Sequence, residues 1–312
     1  MPKKTSSSLN RSSLHFSISE QARKIIENKP YKYPERLTEN IQKIRSKLRA
    51  SAEPLVQKVV ECHAVEISEE IICDVHCLIV SPKKRTSDKK ILYAFGGGFV
   101  TGSAFEDLPI SVPLSALSGL EIIIPEYRLA PEHPWPAACD DMIKVYCELA
   151  EEISVLTGES AGGNLALVTL LRAKKLGLQL PKAVVLMSPW CNLLNEGDSL
   201  LFNEGRDPTL SIQQSKRASA HYAPGQDLCN PEISPLFGSF YGIPAKVLIS
   251  SGTRDLLLSQ SVQLTSSLRD FDVDVDLRIR DGLWHVYVWD AELPEAIASI
   301  RQAAEFIQNS IS

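Results

Sequence analysis

From about residue 55 onward, short apolar runs alternate with longer segments in which apolar positions recur every three or four residues. The runs at 91–95 (ILYAF), 120–124 (LEIII), 153–157 (ISVLT), 183–187 (AVVLM), 245–250 (AKVLIS) and 273–279 (VDVDLRI) predict strands. The segments at about 136–151, 161–176, 258–269 and 293–309 predict helices. Val56–Ile67 and Ile71–Val80 are expected to pair as a hairpin across the "SEE" turn. Apolar strands alternating with helices imply an α/β fold, with a mostly parallel sheet covered on both faces.

Ahead of the strands, Ser17-x-x-Glu20 has the form of a capping box and opens a short helix to about Asn28. Pro30 and Pro34 break the chain. A second helix is expected over 36–50, where Leu37, Ile41, Ile44 and Leu48 form one apolar stripe. Residues 191–242, rich in Asn, Ser, Gly and Pro, interrupt the alternation; one amphipathic piece lies near 210–222. The pattern therefore divides the chain into an N-terminal tail with covering helices, 1–52, and an α/β domain, 53–312. Residues 191–242 are expected to form an excursion over the top of the sheet.

The net charge of −5 offers no broad basic surface to nucleic acid. No apolar run approaches the roughly 20 residues that cross a bilayer. The seven cysteines are odd in number and contain no Cys-x-x-Cys pair, which argues against a disulfide framework or a zinc knuckle. On a strand, Cys73 and Cys77 would share a face about 13 Å apart, with His76 pointing the other way, so one tetrahedral metal would not collect them. The Ser-rich, basic start lacks a secretory apolar region. Together these features lead us to expect a cytoplasmic protein without a metal.

Two glycine-rich turns bring chemistry into the picture. Gly158-Glu159-Ser160-Ala161-Gly162 is a G-x-S-x-G between a predicted strand and a predicted helix. Such a turn exposes the serine hydroxyl, leaves no room for Cβ atoms on either side, and brings the free N–H groups of a helix start close to the oxygen. The second turn, "FGGGFVTGS" (95–103), follows the strand at 91–95. A phosphate loop would need a lysine or a G-x-G-x-x-G leading into a helix. Acyl transfer instead needs bare amides aimed at a developing oxyanion, and Gly96, Gly97 and Ala161 are the candidate donors.

A serine nucleophile needs a base, and the base an orienting acid. Only His221 and His285 follow Ser160. His221 lies in the irregular excursion, whereas His285 follows a predicted strand and can hang over the sheet edge beside Ser160. Asp255 leaves the strand at 245–250 and is the favoured acid, with Asp281 as the runner-up. Phe99, Trp190 and Trp284 are expected in the wall of an apolar pocket.

Four segments in order, "FGGGFV" (95–100), "YRLAPEHPWPAA" (127–138), "GESAGGNLA" (158–166) and "DGLWHVY" (281–287), resemble the hormone-sensitive-lipase-like branch of the α/β-hydrolases. "LMSPW" (186–190) and "SSGTRDLLL" (250–258) match further landmarks of that branch. The resemblance implies an eight-stranded, mostly parallel sheet with an N-terminal helical cap. It implies hydrolysis of short- to medium-chain carboxylic esters without a cofactor, on Ser160, His285 and Asp255. It also implies oxyanion donors at Gly96, Gly97 and Ala161, and pins at Tyr127, Arg128 and Glu132, with Arg128 tied to a carboxylate. Members of the branch often pair through an edge strand, so a homodimer is an expectation. A lactone, an amide or an acetyl group would use the same acyl-enzyme route. A non-catalytic small-molecule binder of this fold is a further alternative, although the known one lacks the histidine. The chain departs from the pattern at Phe95, where His is usual, and at Glu159, where Asp is commoner. Leu256, Leu258 and Ser259 stand where Pro, Arg and Asp often follow the triad acid.

Overall fold

The computed structural model describes residues 17–28 and 41–311. In chain order its elements are α1 (Glu20–Glu27), α2 (Ile41–Cys62), β1 (Val65–Ile72), β2 (Val75–Pro82), β3 (Lys90–Ala94), α3 (Leu108–Ser118), β4 (Glu121–Pro125), α4 (Ala137–Glu148), β5 (Ile153–Glu159) and α5 (Ala161–Lys175). There follow β6 (Ala183–Met187), α6 (Asp198–Asn203), α7 (Ile212–Tyr222), β7 (Lys246–Gly252), α8 (Leu258–Asp270), β8 (Val275–Arg280) and α9 (Pro294–Ile311).

The eight strands form one sheet in the order β1-β2-β4-β3-β5-β6-β7-β8. Only the contacts of β2, with β1 and β4, are antiparallel; all the others are parallel. β5 and β6 are buried at every position, as their unbroken apolar runs require of strands covered on both faces. β3 lies between β4 and β5, so the chain leaves β3 to one side and later returns to the other. This reversal of strand order opens a crevice at the carboxyl ends of β3 and β5, the usual place for a site in an open α/β sheet. Ala94 is in register with Gly158, so the glycine turn after β3 and the serine turn after β5 start side by side.

Expectations for the first strand and its turn, the domain boundary and the α1 cap are corrected. Residues 56–62 are not strand but the last turns of α2. Ala52, Val56 and Val59, spaced by four and three, bury one helical face, and that period outweighs the β-branched content of the run. The hairpin therefore runs from Val65 to Pro82 and turns at Cys73-Asp74, both at positive φ (49° and 65°), while Ser68, Glu69 and Glu70 lie within β1. α2 also crosses residue 52, so the division anticipated at 52/53 falls inside one helix. α3, unforeseen, is buried along almost its whole length; without a polar face and with Pro109 and Pro113 it shows no helical period. The cap of α1 is Ser19, whose hydroxyl accepts from the Ala22 amide, and not Ser17. Residues 36–40 of the expected second helix, including Leu37, lie outside the described residues.

Contacts from side chains hold the two N-terminal helices in place. The amide and hydroxyl of Ser19 donate to Glu295 of α9. Arg45 of α2 donates to the carbonyls of Val100 and Ala130 (both 2.8 Å) and to the Glu132 carboxylate. Beneath them Tyr127 donates its hydroxyl to the Phe95 carbonyl (2.6 Å). Arg128 meets Asp141 through its backbone N–H (2.9 Å) and two guanidinium nitrogens (both 2.8 Å), so the carboxylate partner expected for Arg128 is Asp141. Among the described residues no helix is long and apolar enough to cross a membrane.

The Asp141 carboxylate is buried whereas the Arg128 side chain is 45% exposed, so water screens part of the pair. Asp141→Ala is expected to cost about 1–3 kcal/mol, chiefly through the Arg128 amide left without its acceptor. A chemical-denaturation midpoint unchanged from wild type would contradict this.

Candidate active site

Ser160 sits between β5 and α5 with φ 51° and ψ −118°, a conformation uncommon for a residue with a side chain. Its backbone is held on both sides. Its N–H donates to the Met187 carbonyl (3.0 Å), and its carbonyl accepts from the Trp190 N–H (2.9 Å). The flanking glycines are there for space. A Cβ on Gly158 would lie 2.5 Å from the Gly162 carbonyl group, and one on Gly162 would lie 2.0 Å from the Ala94 carbonyl oxygen. The turn thus projects the Ser160 hydroxyl by pressing bare backbone against the end of β3.

His285 lies in the loop after β8, and its imidazole is buried between the other two residues expected to work with it. Nε2 is 2.9 Å from Ser160 Oγ, and Nδ1 is 3.0 Å from Asp255 Oδ1. Asp255, fully buried, follows β7. Its Oδ1 also accepts from the Leu257 N–H (2.8 Å) and its Oδ2 from the Ser251 hydroxyl (2.7 Å). Burial pushes the Asp255 carboxyl up, but the charge and hydrogen bond of His285 and the hydroxyls of Ser188 and Ser251 outweigh it and leave its pKa below the ordinary value. Burial pulls the imidazole down, but the Asp255 charge and hydrogen bond, together with the Asp207 charge, leave His285 above its ordinary 6.5. His221 stays apart from this group, at the end of α7 on the cavity wall. Asp281, the runner-up acid, accepts from the Thr253 hydroxyl instead (3.0 Å).

The glycine turn is tightly packed and borders the cavity in front of Ser160 at Gly96 and Gly97. Gly97, at φ 104°, packs so closely on the Thr101 carbonyl that a Cβ would lie 2.2 Å from its oxygen. A Cβ on Gly96 would overlap the buried Glu159 carboxyl. Phe95 stacks flat on Tyr127 (centroids 4.1 Å apart), so packing takes the place of the hydrogen bond that a histidine would make.

A cavity of about 480 Å³ opens in front of Ser160. Trp190 and Trp284 line it, as do Ile25 of α1 and Leu48 and Ala52 of α2, and Gln214, Ala218 and His221 of α7. Phe99 does not. Its ring is fully buried below the turn, stacked on Tyr222 at 3.7 Å, so it belongs to the core and not to the wall. Sequence reasoning missed Asp107, Glu159 as its partner, and Asp207. None belongs to a short motif of paired acids, because the fold brings them together from separate segments.

Comparison with known proteins finds relatives of the same fold. A family described as having the alpha/beta hydrolase fold matches residues 91–289. An esterase of Acinetobacter venetianus is 33% identical over 227 residues, spanning 69% of this chain and 73% of the esterase. An acetyl-hydrolase of Streptomyces hygroscopicus is 30% identical over 232 residues, spanning 72% and 77%. The crystal structure of a hormone-sensitive lipase from a metagenome library superimposes with a TM-score of 0.83 at 28% identity, covering 94% of this chain and 96% of that one. The chain belongs to the α/β-hydrolase family, in its hormone-sensitive-lipase-like carboxylesterase branch.

Asp107 and Glu159 are buried, and the Asp107 charge raises Glu159. Burial is the main cause that raises both, and Asp107 reaches about 7 despite the Tyr93 hydroxyl donating to it at 2.9 Å. A carboxyl that keeps its proton to about pH 7 folded, but only to about 3.8 unfolded, contributes stability below the lower value and loses it as pH rises towards the upper one. Asp107→Asn, free of this loss, is expected to melt above wild type by a margin that grows from about pH 4 to about pH 7. A margin independent of pH in thermal scans would refute it.

Proposed function

We propose that this chain, a carboxylic ester hydrolase by family, cleaves short- to medium-chain acyl esters through a covalent acyl-enzyme on Ser160. The observation that carries the reading is the unbroken chain of contacts from Ser160 Oγ to His285 Nε2 (2.9 Å) and from His285 Nδ1 to Asp255 Oδ1 (3.0 Å). With Nδ1–H donating to an ionised Asp255, Nε2 is left to accept the serine proton. Ser160 Oγ attacks the ester carbonyl as His285 takes that proton. The carbonyl oxygen, now an anion, receives hydrogen bonds from the amides of Gly96, Gly97 and Ala161, each worth about 3 to 4 kcal/mol of transition-state stabilisation. His285 returns the proton to the departing alcohol. Water then repeats the sequence on the acyl-enzyme and frees the acid.

The imidazolium formed midway faces two carboxylates, Asp255 and Asp207, which favour it and support the role of a general base. The acyl or alcohol group would lie in the cavity between α1, α2 and α7. Helices α1 and α2 act here as a cap that limits chain length. The acetyl-hydrolase relative favours the short end of the range.

Ser160→Ala is expected to lower kcat by about 10⁴-fold or more, since triad members act as a unit, and to abolish labelling by a fluorophosphonate probe. Wild-type turnover of p-nitrophenyl esters by that variant would end the reading. The base must be neutral to act, and its pKa is raised, so kcat/KM is expected to decline on acidification with a midpoint above 6.5. A midpoint below that value would contradict the environment assigned to His285. Leu48→Trp, which fills the cap side of the cavity, is expected to shift the preferred p-nitrophenyl ester to a shorter acyl chain; an unchanged profile would remove the cap from substrate selection.

A further inference from the structure

Asp207 lies in the excursion between β6 and β7 and is 7% exposed. Its carboxylate accepts from four backbone N–H groups. Oδ1 accepts from those of Thr209 (2.8 Å) and Leu210 (3.2 Å). Oδ2 accepts from those of Leu256 (2.9 Å) and His285 (3.2 Å). The one proton of the Thr209 hydroxyl is shared between Asp207 Oδ1 (2.9 Å) and the His285 carbonyl oxygen (3.0 Å). Asp207 and Thr209 thus lie against both backbone groups of His285, and the same carboxylate holds the residue that follows Asp255.

This arrangement depends on what stands at 256. A proline there would carry no N–H and leave Oδ2 with the His285 amide alone. Leu256 supplies the donor. The excursion reaches the same turn a second time through the Asn203 side chain, which donates to the carbonyls of Asp255 (2.8 Å) and Thr253 (3.2 Å).

We infer that Asp207 is a positioning residue, a carboxylate clamp that fixes the turn carrying His285 against the turn carrying Asp255. The inference rests on the esterase reading above, in which those two side chains must keep hydrogen-bonding distance while the imidazole gains and loses a proton. The clamp acts through main chain, so it sets where the imidazole stands without touching substrate. It also acts through charge. Asp255 and Asp207 are acids that face His285, and their charges favour its protonated form; burial raises the Asp207 carboxyl and the His285 charge acts to lower it.

The test compares Asp207→Asn and Leu256→Pro with wild type, using p-nitrophenyl butyrate across the acid limb of the rate profile. Asp207→Asn removes the charge and weakens the clamp. Its kcat is expected to fall about tenfold or more with KM within about twofold, and its acid limb to move to lower pH as the imidazole loses a stabilising neighbour. Leu256→Pro deletes one arm and keeps the charge, so a fall in kcat of about threefold with an unmoved limb is expected. A wild-type kcat in both variants, or an unmoved limb in Asp207→Asn, overturns the clamp. Should Asp207→Asn lack a cooperative melt, Leu256→Pro decides, and a wild-type kcat in it is the overturning result. Ser160→Ala in parallel separates the two levels. Activity that survives it sinks the esterase reading, whereas its loss beside wild-type kinetics in both other variants sinks the clamp alone.

Discussion

The site depends on a close approach of two pieces of main chain, one leaving β3 and one leaving β5. At the crossing, Gly162 meets the Ala94 carbonyl with no space for a side-chain carbon, and Gly158 meets Gly162 in the same way. Parallel pairing of β3 with β5 brings the two ends level, and the reversal of strand order at β3 opens the crevice above them. Only glycine permits the contact. The strain of φ 51° at Ser160 persists because β6 and the loop after it hold the residue's N–H and carbonyl from the other side. The serine is exposed to the cavity because the backbone around it is over-determined.

The buried carboxyls around the site differ in their partners. Asp255 is fully buried yet held below its ordinary pKa, chiefly by the charge and hydrogen bond of His285, with the hydroxyls of Ser188 and Ser251 adding to them. Burial raises Asp207 although four backbone N–H groups donate to it, and burial also raises Asp107 and Glu159. A direct hydrogen bond to an imidazole, and not the number of donors, sets Asp255 apart. In the proposed mechanism Asp255 serves a base that must carry a positive charge. Glu159 lies against the glycine turn, where Phe95 leaves no side-chain hydrogen bond to steady the loop and the stacked rings of Phe95 and Tyr127 support it.

Much of this was legible in the sequence because some features are local. An apolar run ending in G-x-S-x-G, with a helix after it, can be read from one segment, and so can the glycine triplet and the positions of His285 and Asp255 behind successive strands. What escaped reading has a common cause. α3 is buried on all sides, so its hydrophobic pattern has no period. The β-branched end of α2 looked like a strand because Val56, Val59 and Val60 suit either form until packing chooses. Phe99 beside a glycine turn gave no sign that its ring would turn down onto Tyr222 and away from the cavity. Side-chain type is visible in a sequence, but direction and long-range partners are not.

The excursion between β6 and β7 shows what such hidden contacts add. One part of it, α7, supplies Gln214, Ala218 and His221 to the cavity wall. Another, through Asp207 and Thr209, reaches the backbone of His285. The segment that shapes the binding space is thus hydrogen-bonded to the segment that carries the imidazole. In an ordinary α/β sheet the loops tolerate change because they touch little beyond themselves. Here a substitution that shifted α7 to fit another ester would also load the turn at 207–210, and through it the distance from His285 to Ser160. Under the proposed mechanism, substrate range and rate would therefore be coupled by covalent continuity over a few residues. The apolar wall can vary freely only where a residue, such as Leu48 on α2, reaches the cavity from outside that segment.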